Sequence, residues 1–435
     1  MAGDPTPSRL RRAVRAIAVD AGLLRRRRDF RLLIAGQVTS ELGSMVTFVA
    51  LPYQCYRLTH STVAVGALGL AEFVPICALA LLGGALADAF DRRRLIAIAE
   101  LGAFAVCVAL VVNGSLAMPN TWVLFVASAL LAACTAIRRP PLDALVPRLV
   151  ARDELKAATA LHWALADTAQ LLGPALAGVL IAASGLAATY AVDAATFAAS
   201  LASLAVIRTP PLPEGAPPPS LRGVIEGIRY AASRPELIGT YVIDMNAMFF
   251  GMPMALFPAL AQRYGGPEVV GLMYAAPSAG SVVATLTSGW ARRVHRHGRA
   301  ITLAAAGWGV AVVAFGLSGA LWLALLFLAV AGGMDAVSGL FRGVVWNETI
   351  PDALRGRLAG LEMLSWSSGP TLGNFEAGGL AALAGLRASV VVGGALCVAG
   401  SGAIAAALPA FWRYDARDAV TAPPPHPEPA TPAPR

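Results

Sequence analysis

About twelve stretches of roughly 20 apolar residues recur along this 435-residue chain, each long enough to carry a helix across ~30 Å of hydrocarbon. Inside lipid no water satisfies a backbone N–H or C=O, so each stretch must satisfy its own, and an α-helix does so within one segment. The spans predicted on this basis lie near 32–53, 63–87, 95–113, 121–137, 158–182 and 187–207, and then near 237–261, 269–290, 300–318, 321–341, 358–384 and 388–411. With 57% hydrophobic residues, 14% charged residues and a mean hydropathy of +0.64, the composition is that of an all-α integral membrane protein.

The formal net charge of +8 could suggest nucleic acid, but its placement reports topology. Arg92, Arg93, Arg94, Arg138, Arg139, Arg148, Arg152, Arg208, Arg222, Arg229, Arg292, Arg293, Arg296, Arg299, Arg355 and Arg357 all fall in alternate connections or at the helix ends facing them. The intervening connections hold only Arg57, Arg263 and Arg387. With Arg25 to Arg28 ahead of the first span, this asymmetry puts both termini in the cytoplasm of a multi-pass inner-membrane protein. The basic segment 1–29 lacks the uninterrupted apolar core of a cleaved signal; it reads as a lipid-surface helix or a solvated tail. The end of the chain, 413–435, is rich in proline and is expected to be disordered. Cys55, Cys77, Cys107, Cys134 and Cys397 sit on separate spans without C-x-x-C spacing and read as small core residues.

Segment 208–236 interrupts the apolar pattern with "TPPLPEGAPPPS" and then offers an amphipathic helix with Leu221, Val224, Ile225, Ile228 and Ala232 on one face. It lies between two sets of six spans, 30–207 and 237–412. Short matches relate the sets: Arg138 to Arg342 and Pro147 to Pro351 at a displacement of 204, and Gly84 to Gly289 at 205. At that last displacement Glu41 aligns with Asn246. A duplicated six-helix unit is the architecture of transporters whose halves rock about a site near the bilayer midplane.

The stretch "GGALADAFDRRR", 83–94, resembles the loop signature of the major facilitator superfamily: glycine, aspartate four residues on, then a basic pair. Gly84, Asp88, Arg92 and Arg93 match it, with Asp91 where glycine is common, and "SGWARRVHRHGR" at 288–299 is a weaker copy. "YAVDAATF", "GMPMALFPALA", "IPDALRGRLAGLE" and "GNFEAG" are similar to the branch of enterobactin-exporter-like and macrolide-efflux-like permeases. The resemblance implies twelve transmembrane helices in two pseudo-symmetric six-helix bundles, with the first, fourth, seventh and tenth helices lining a cavity. It also implies a conformational latch at Gly84, Asp88, Arg92 and Arg93.

Acidic residues inside apolar spans are costly and need a cavity or a partner. The candidates for a proton or substrate site are Glu41, Asp335 and Glu376, with Asn246 as the repeat partner of Glu41. Glu72, Asp167, Asp193 and Asp244 are secondary, as is Arg342, two helical turns after Asp335 and able to neutralise it. Superfamily antiporters often carry an arginine deep in the fourth helix, and the apolar run 121–137 has none; Arg138 and Arg139 follow it. Phe48, Met245, Met248, Phe249, Phe250 and Met252 suit either an adaptable cavity lining or ordinary helix packing.

No H-E-x-x-H or G-x-S-x-G motif occurs, His60, His162, His295, His297 and His426 are scattered, and the single lysine, Lys156, does not follow a phosphate-binding loop. No enzyme, metal site, cofactor or nucleic-acid partner is expected. The reading is a monomeric secondary transporter exporting a siderophore- or drug-like amphipathic molecule by proton antiport. An uptake permease of the same fold and a non-transporting sensor are the alternatives. Single cysteines at Ala117 and Glu214, in a background without native cysteines, are expected to label with an impermeant reagent from outside and inside the cell respectively; labelling of both from one side overturns the topology.

Overall fold

The computed structural model describes residues 22–89, 91–207 and 229–417, with backbone alone at 80–89, 144, 352–357 and 359–366. The basic segment before residue 22, the linker 208–228 and the tail from residue 418 therefore lie outside the described residues. In the first half α1 is Arg28–Thr59, α2 Thr62–Ala89, α3 Arg92–Ser115 and α4 Thr121–Leu145. The continuous run Leu155–Val206 then breaks at Gly185, whose φ of 76° only glycine adopts readily, into α5 (155–184) and α6 (186–206). In the second half α7 is Pro235–Phe250, α8 Pro267–Leu286, α9 His297–Leu317, α10 Leu321–Thr349, α11 Asp352–Ala384 and α12 Leu386–Ala407. Ten described helices are long and apolar enough to cross a membrane, one of them the broken 155–206 run.

Two spans differ from their predicted form. The seventh was expected to be continuous, but Gly251 and Pro253 end α7, and a short 3-10 turn at Met254–Leu256 leads into Phe257–Ala261. The fourth runs past 137 to Leu145, through Pro140 and Pro141, which carries Arg138 inside the helix.

The external surface is greasy: Trp122, Val74 and Leu303 are at least 60% exposed, as lipid-facing positions should be. All five cysteines are free, and Cys55, Cys107 and Cys397 are buried in helix packing.

The arginine-rich connections share one end of the bundle, the basic end; the α1–α2, α3–α4 and α5–α6 turns share the far end. The main packing between halves is α2 on α11 and α5 on α8, and its close approaches gather toward the far end. A Cβ on Gly66 would stand 2.5 Å from the carbonyl oxygen of Asn374, and one on Gly271 2.5 Å from that of Pro174. Glycine at these positions lets backbones touch, the usual way helices associate in lipid. Thr62 Oγ1 donates to the Gly378 carbonyl at 2.9 Å, and Phe48 of α1 stands edge-on to Tyr274 of α8 with centroids 5.4 Å apart. The far end is closed by these contacts.

Within the first half one carboxylate joins three helices. Asp193 on α6 is fully buried and accepts from Thr47 of α1 at 2.5 Å, Cys107 of α3 at 3.3 Å and Thr196 at 3.2 Å. Gly43 makes room for it, because a Cβ there would collide with the Asp193 and Thr196 side chains. Asp193→Ala would strand these donors in a dry core and is expected to cost about 3 kcal/mol. Thermal unfolding in detergent checks this: Asp193→Ala should melt several degrees below the parent and Asp193→Asn, which keeps an acceptor oxygen, should recover part of the loss.

Candidate functional site

Two arginines, one in each half, sit seven residues before the ends of α4 and α10 and turn away from lipid. A guanidinium in that position needs acceptors on several sides, and the facing helix supplies them. Arg138 donates through Nη1 to Gln37 Oε1 at 3.1 Å and Ser40 Oγ at 3.2 Å, and through Nη2 to Glu41 Oε2 at 3.2 Å. The three α1 residues share one face because they are three and four positions apart. Behind them lies Glu100 of α3, whose Oε1 accepts from Gln37 at 2.9 Å and Ser200 of α6 at 2.8 Å, and stands 3.9 Å from Arg138 Nη1.

The second half repeats the arrangement. Arg342 pairs through Nη1 with Asp244 of α7 and through Nη2 with Asp335 at 3.5 Å. Asp244 follows Ser40 by 204 residues, the same displacement that relates Arg138 to Arg342, so both the arginine and the position it grips on the facing helix are repeated. Each arginine thus stands between two carboxylates. The Glu41 and Asp335 side chains keep 29% and 41% of their exposure although both lie far inside long helices. Both carboxylates therefore keep solvent access beside the arginines that they pair with.

The other predicted residues fall elsewhere. Asn246, the aligned partner of Glu41, faces back into its own half and donates to the Cys397 carbonyl at 2.9 Å and Ser401 Oγ at 3.3 Å. Glu72 accepts from Ser128 at 2.6 Å, linking α2 to α4, and Asp167 is exposed on α5. Glu376 is half-buried on α11 and has no hydrogen-bond partner among the described residues. Of the apolar residues, Phe48 reaches across to the other half, whereas Met248 packs against Gly369 and Gly373 of α11.

In the loop motif, Asp91 caps α3 by accepting from the Arg94 amide at 2.9 Å, which gives that departure from the superfamily pattern a local role. Arg93 donates to the Ala205 carbonyl at 2.6 Å and ties α3 to the end of α6. Arg92 opens α3, while the side chains of Gly84 and Asp88 lie outside the described residues. Sequence reasoning missed Glu100 and the inward turn of Arg138. Both were masked by neighbouring arginines that read as flanking charge; the available signal was Arg138 matching Arg342, which was already expected to meet an acid.

Helical transporters of known structure share this fold. A POT family transporter in complex with 5-aminolevulinic acid superposes with a TM-score of 0.71 at 12% identity, over 88% of this chain and 97% of that one. The nucleoside transporter NupG gives 0.72 at 11% identity, over 87% and 99%. A bacterial homologue of the human lysosomal transporter Spinster, inward-facing and unoccupied, gives 0.67 at 15% identity, over 90% and 97%. In sequence, the enterobactin exporter EntS of Citrobacter koseri is 29% identical over 382 residues, 86% of this chain and 91% of that protein. EntS of Escherichia coli is 28% identical over 371 residues, 84% and 88%. Residues 24–431 match the transmembrane secretion effector family, and the chain belongs to it: a major facilitator transporter, not an enzyme.

Proposed function

We propose that this transporter is an exporter of an amphipathic, siderophore- or drug-like small molecule, driven by proton antiport and working by alternating access as a monomer. The observations that carry the reading are the contacts between the halves at the far end and the two partly exposed carboxylates deep in the helices, Glu41 on Arg138 and Asp335 on Arg342, which we read as facing a space between the halves. The arginine asymmetry puts the basic end, and with it both termini, in the cytoplasm of an inner membrane, so the space opens toward cytoplasmic cargo. Export is supported by the relatives named as enterobactin exporters.

Glu41 suits the coupling role better than Glu376 because it has both water access and a cation to release. A carboxylate that holds an arginine when ionised and lets go when protonated converts proton binding into a change of helix contact. In the other conformation the halves would part at the far end, breaking the Phe48–Tyr274 and Thr62–Gly378 contacts. The latch at Gly84, Asp88, Arg92 and Arg93 is proposed to steady that outward-facing form.

The test is to screen siderophores, macrolides and dyes for thermal stabilisation of the purified protein, then to measure flux of each hit from proteoliposomes under an imposed pH gradient. Glu41→Gln should keep the thermal shift and lose about tenfold in gradient-driven flux, equivalent to ~1.4 kcal/mol of coupling. Flux that ignores the gradient and is equally fast in Glu41→Gln and Glu376→Gln would remove proton coupling from the proposal.

A further inference from the structure

The two arginine-centred groups differ in one respect that has a chemical consequence. In the second half Arg342 lies closest to the buried acid, Asp244, whose side chain is 5% exposed, and stands 3.5 Å from the more exposed Asp335. In the first half the choice is reversed. Arg138 lies closest to the water-accessible Glu41, at 3.2 Å, and stands 3.9 Å from Glu100, whose side chain is fully buried. One oxygen of Glu100 accepts from Gln37 and Ser200; the other, Oε2, is buried with no hydrogen-bond partner among the described residues.

One guanidinium cannot neutralise two carboxylates. Water can solvate the surplus charge on Asp335, and equally on Glu41, but not on Glu100. Among the described residues, the charged and titratable side chains around this group are Arg138 and Cys134 on α4 and Glu41 on α1, with Asp193 on α6 and His162 on α5, itself beside Asp143 and Arg139, farther off. Of the nearest, only Arg138 is a fixed cation, and it is already engaged by Glu41, Gln37 and Ser40.

We propose that Glu100 is a proton-binding site, holding one proton on its Oε2 in this conformation and sharing Arg138 with Glu41 as a two-carboxylate, one-proton unit. When a proton binds Glu41 from the cavity, Arg138 is released to pair with Glu100, whose own proton can then leave. One proton is bound before and after, and the charge of the unit does not change. Gln37 links Glu100 to the guanidinium by donating to Glu100 while accepting from Arg138, so Arg138 keeps a partner as it shifts between the acids. The use of this site in transport rests on the proton-coupled reading above; its location rests on the geometry alone.

Infrared difference spectroscopy of the purified full-length protein tests it, because protonated and ionised carboxyls absorb at different frequencies. The parent protein at neutral pH is expected to show a protonated-carboxyl band that is lost in Glu100→Gln and retained in Asp335→Asn. Glu41→Gln should also lose it, since Arg138 then turns to Glu100 and ionises it; a merely structural role for Glu100 would not produce that second loss. A band unchanged in both Glu100→Gln and Glu41→Gln overturns the assignment, and Glu41→Gln alone decides it if Glu100→Gln does not fold. The spectrum needs no cargo: loss of the band in both variants, together with gradient-independent flux in the liposomes, would keep the proton site and dismiss antiport.

Discussion

Lipid offers no hydrogen bonds, and that constraint reaches from the backbone to every polar side chain in this protein. The backbone meets it by forming helices, but a carboxylate or guanidinium inside the membrane needs a partner side chain, here most often on another helix. Charge therefore becomes connection. Asp193 draws α1, α3 and α6 together, and Arg138 links α4 to α1 with α3 and α6 behind them. Arg342 does the same for α10 and α7. The contacts between the halves described above are of another kind: glycines at Gly66 and Gly271 let bare backbones approach, and Thr62 adds a hydrogen bond and Phe48 an aromatic contact. Strong polar ties inside each half and adaptable apolar ties between them are what rigid-body rocking requires.

Much of the architecture was legible because it depends on the same constraint. Long apolar runs have few alternatives in lipid, so the spans emerged with errors mainly at their ends. The break at Gly185 falls between the spans predicted at 158–182 and 187–207, whereas the interruption at Gly251 to Pro253 is a local backbone event inside apolar sequence, where hydropathy carries no signal.

The site was less legible, because hydropathy reports cost without reporting who pays it. Asp335 with Arg342 could be anticipated from spacing along one helix, but Asp244 required the fold. Glu100 and Arg138 looked inconsequential beside Arg92–Arg94 and Arg139, although they are among the most buried charges in the first half. Asn246 was reached through a displacement of 205, whereas the register that relates both arginines and their facing positions is 204. That one-residue difference moves the alignment by about 100° around a helix, enough to exchange a cavity-facing position for one packed against α12.

The internal repeat also explains why the halves need not behave alike. Duplication preserved the arginine and its place on the facing helix, yet one half has Ser40 where the other has Asp244. A serine cannot neutralise a guanidinium, so in the first half the acids are displaced to Glu41, one residue along α1, and to Glu100 on α3. The second half holds its arginine by a direct buried pair with Asp244 and a longer contact to Asp335 on its own helix. The first half divides its arginine between a wet and a dry carboxylate, two arrangements of similar charge that differ in which helix is gripped. Under the proposed proton coupling, it is this first-half group that a proton at Glu41 would bias, because it alone has two such arrangements.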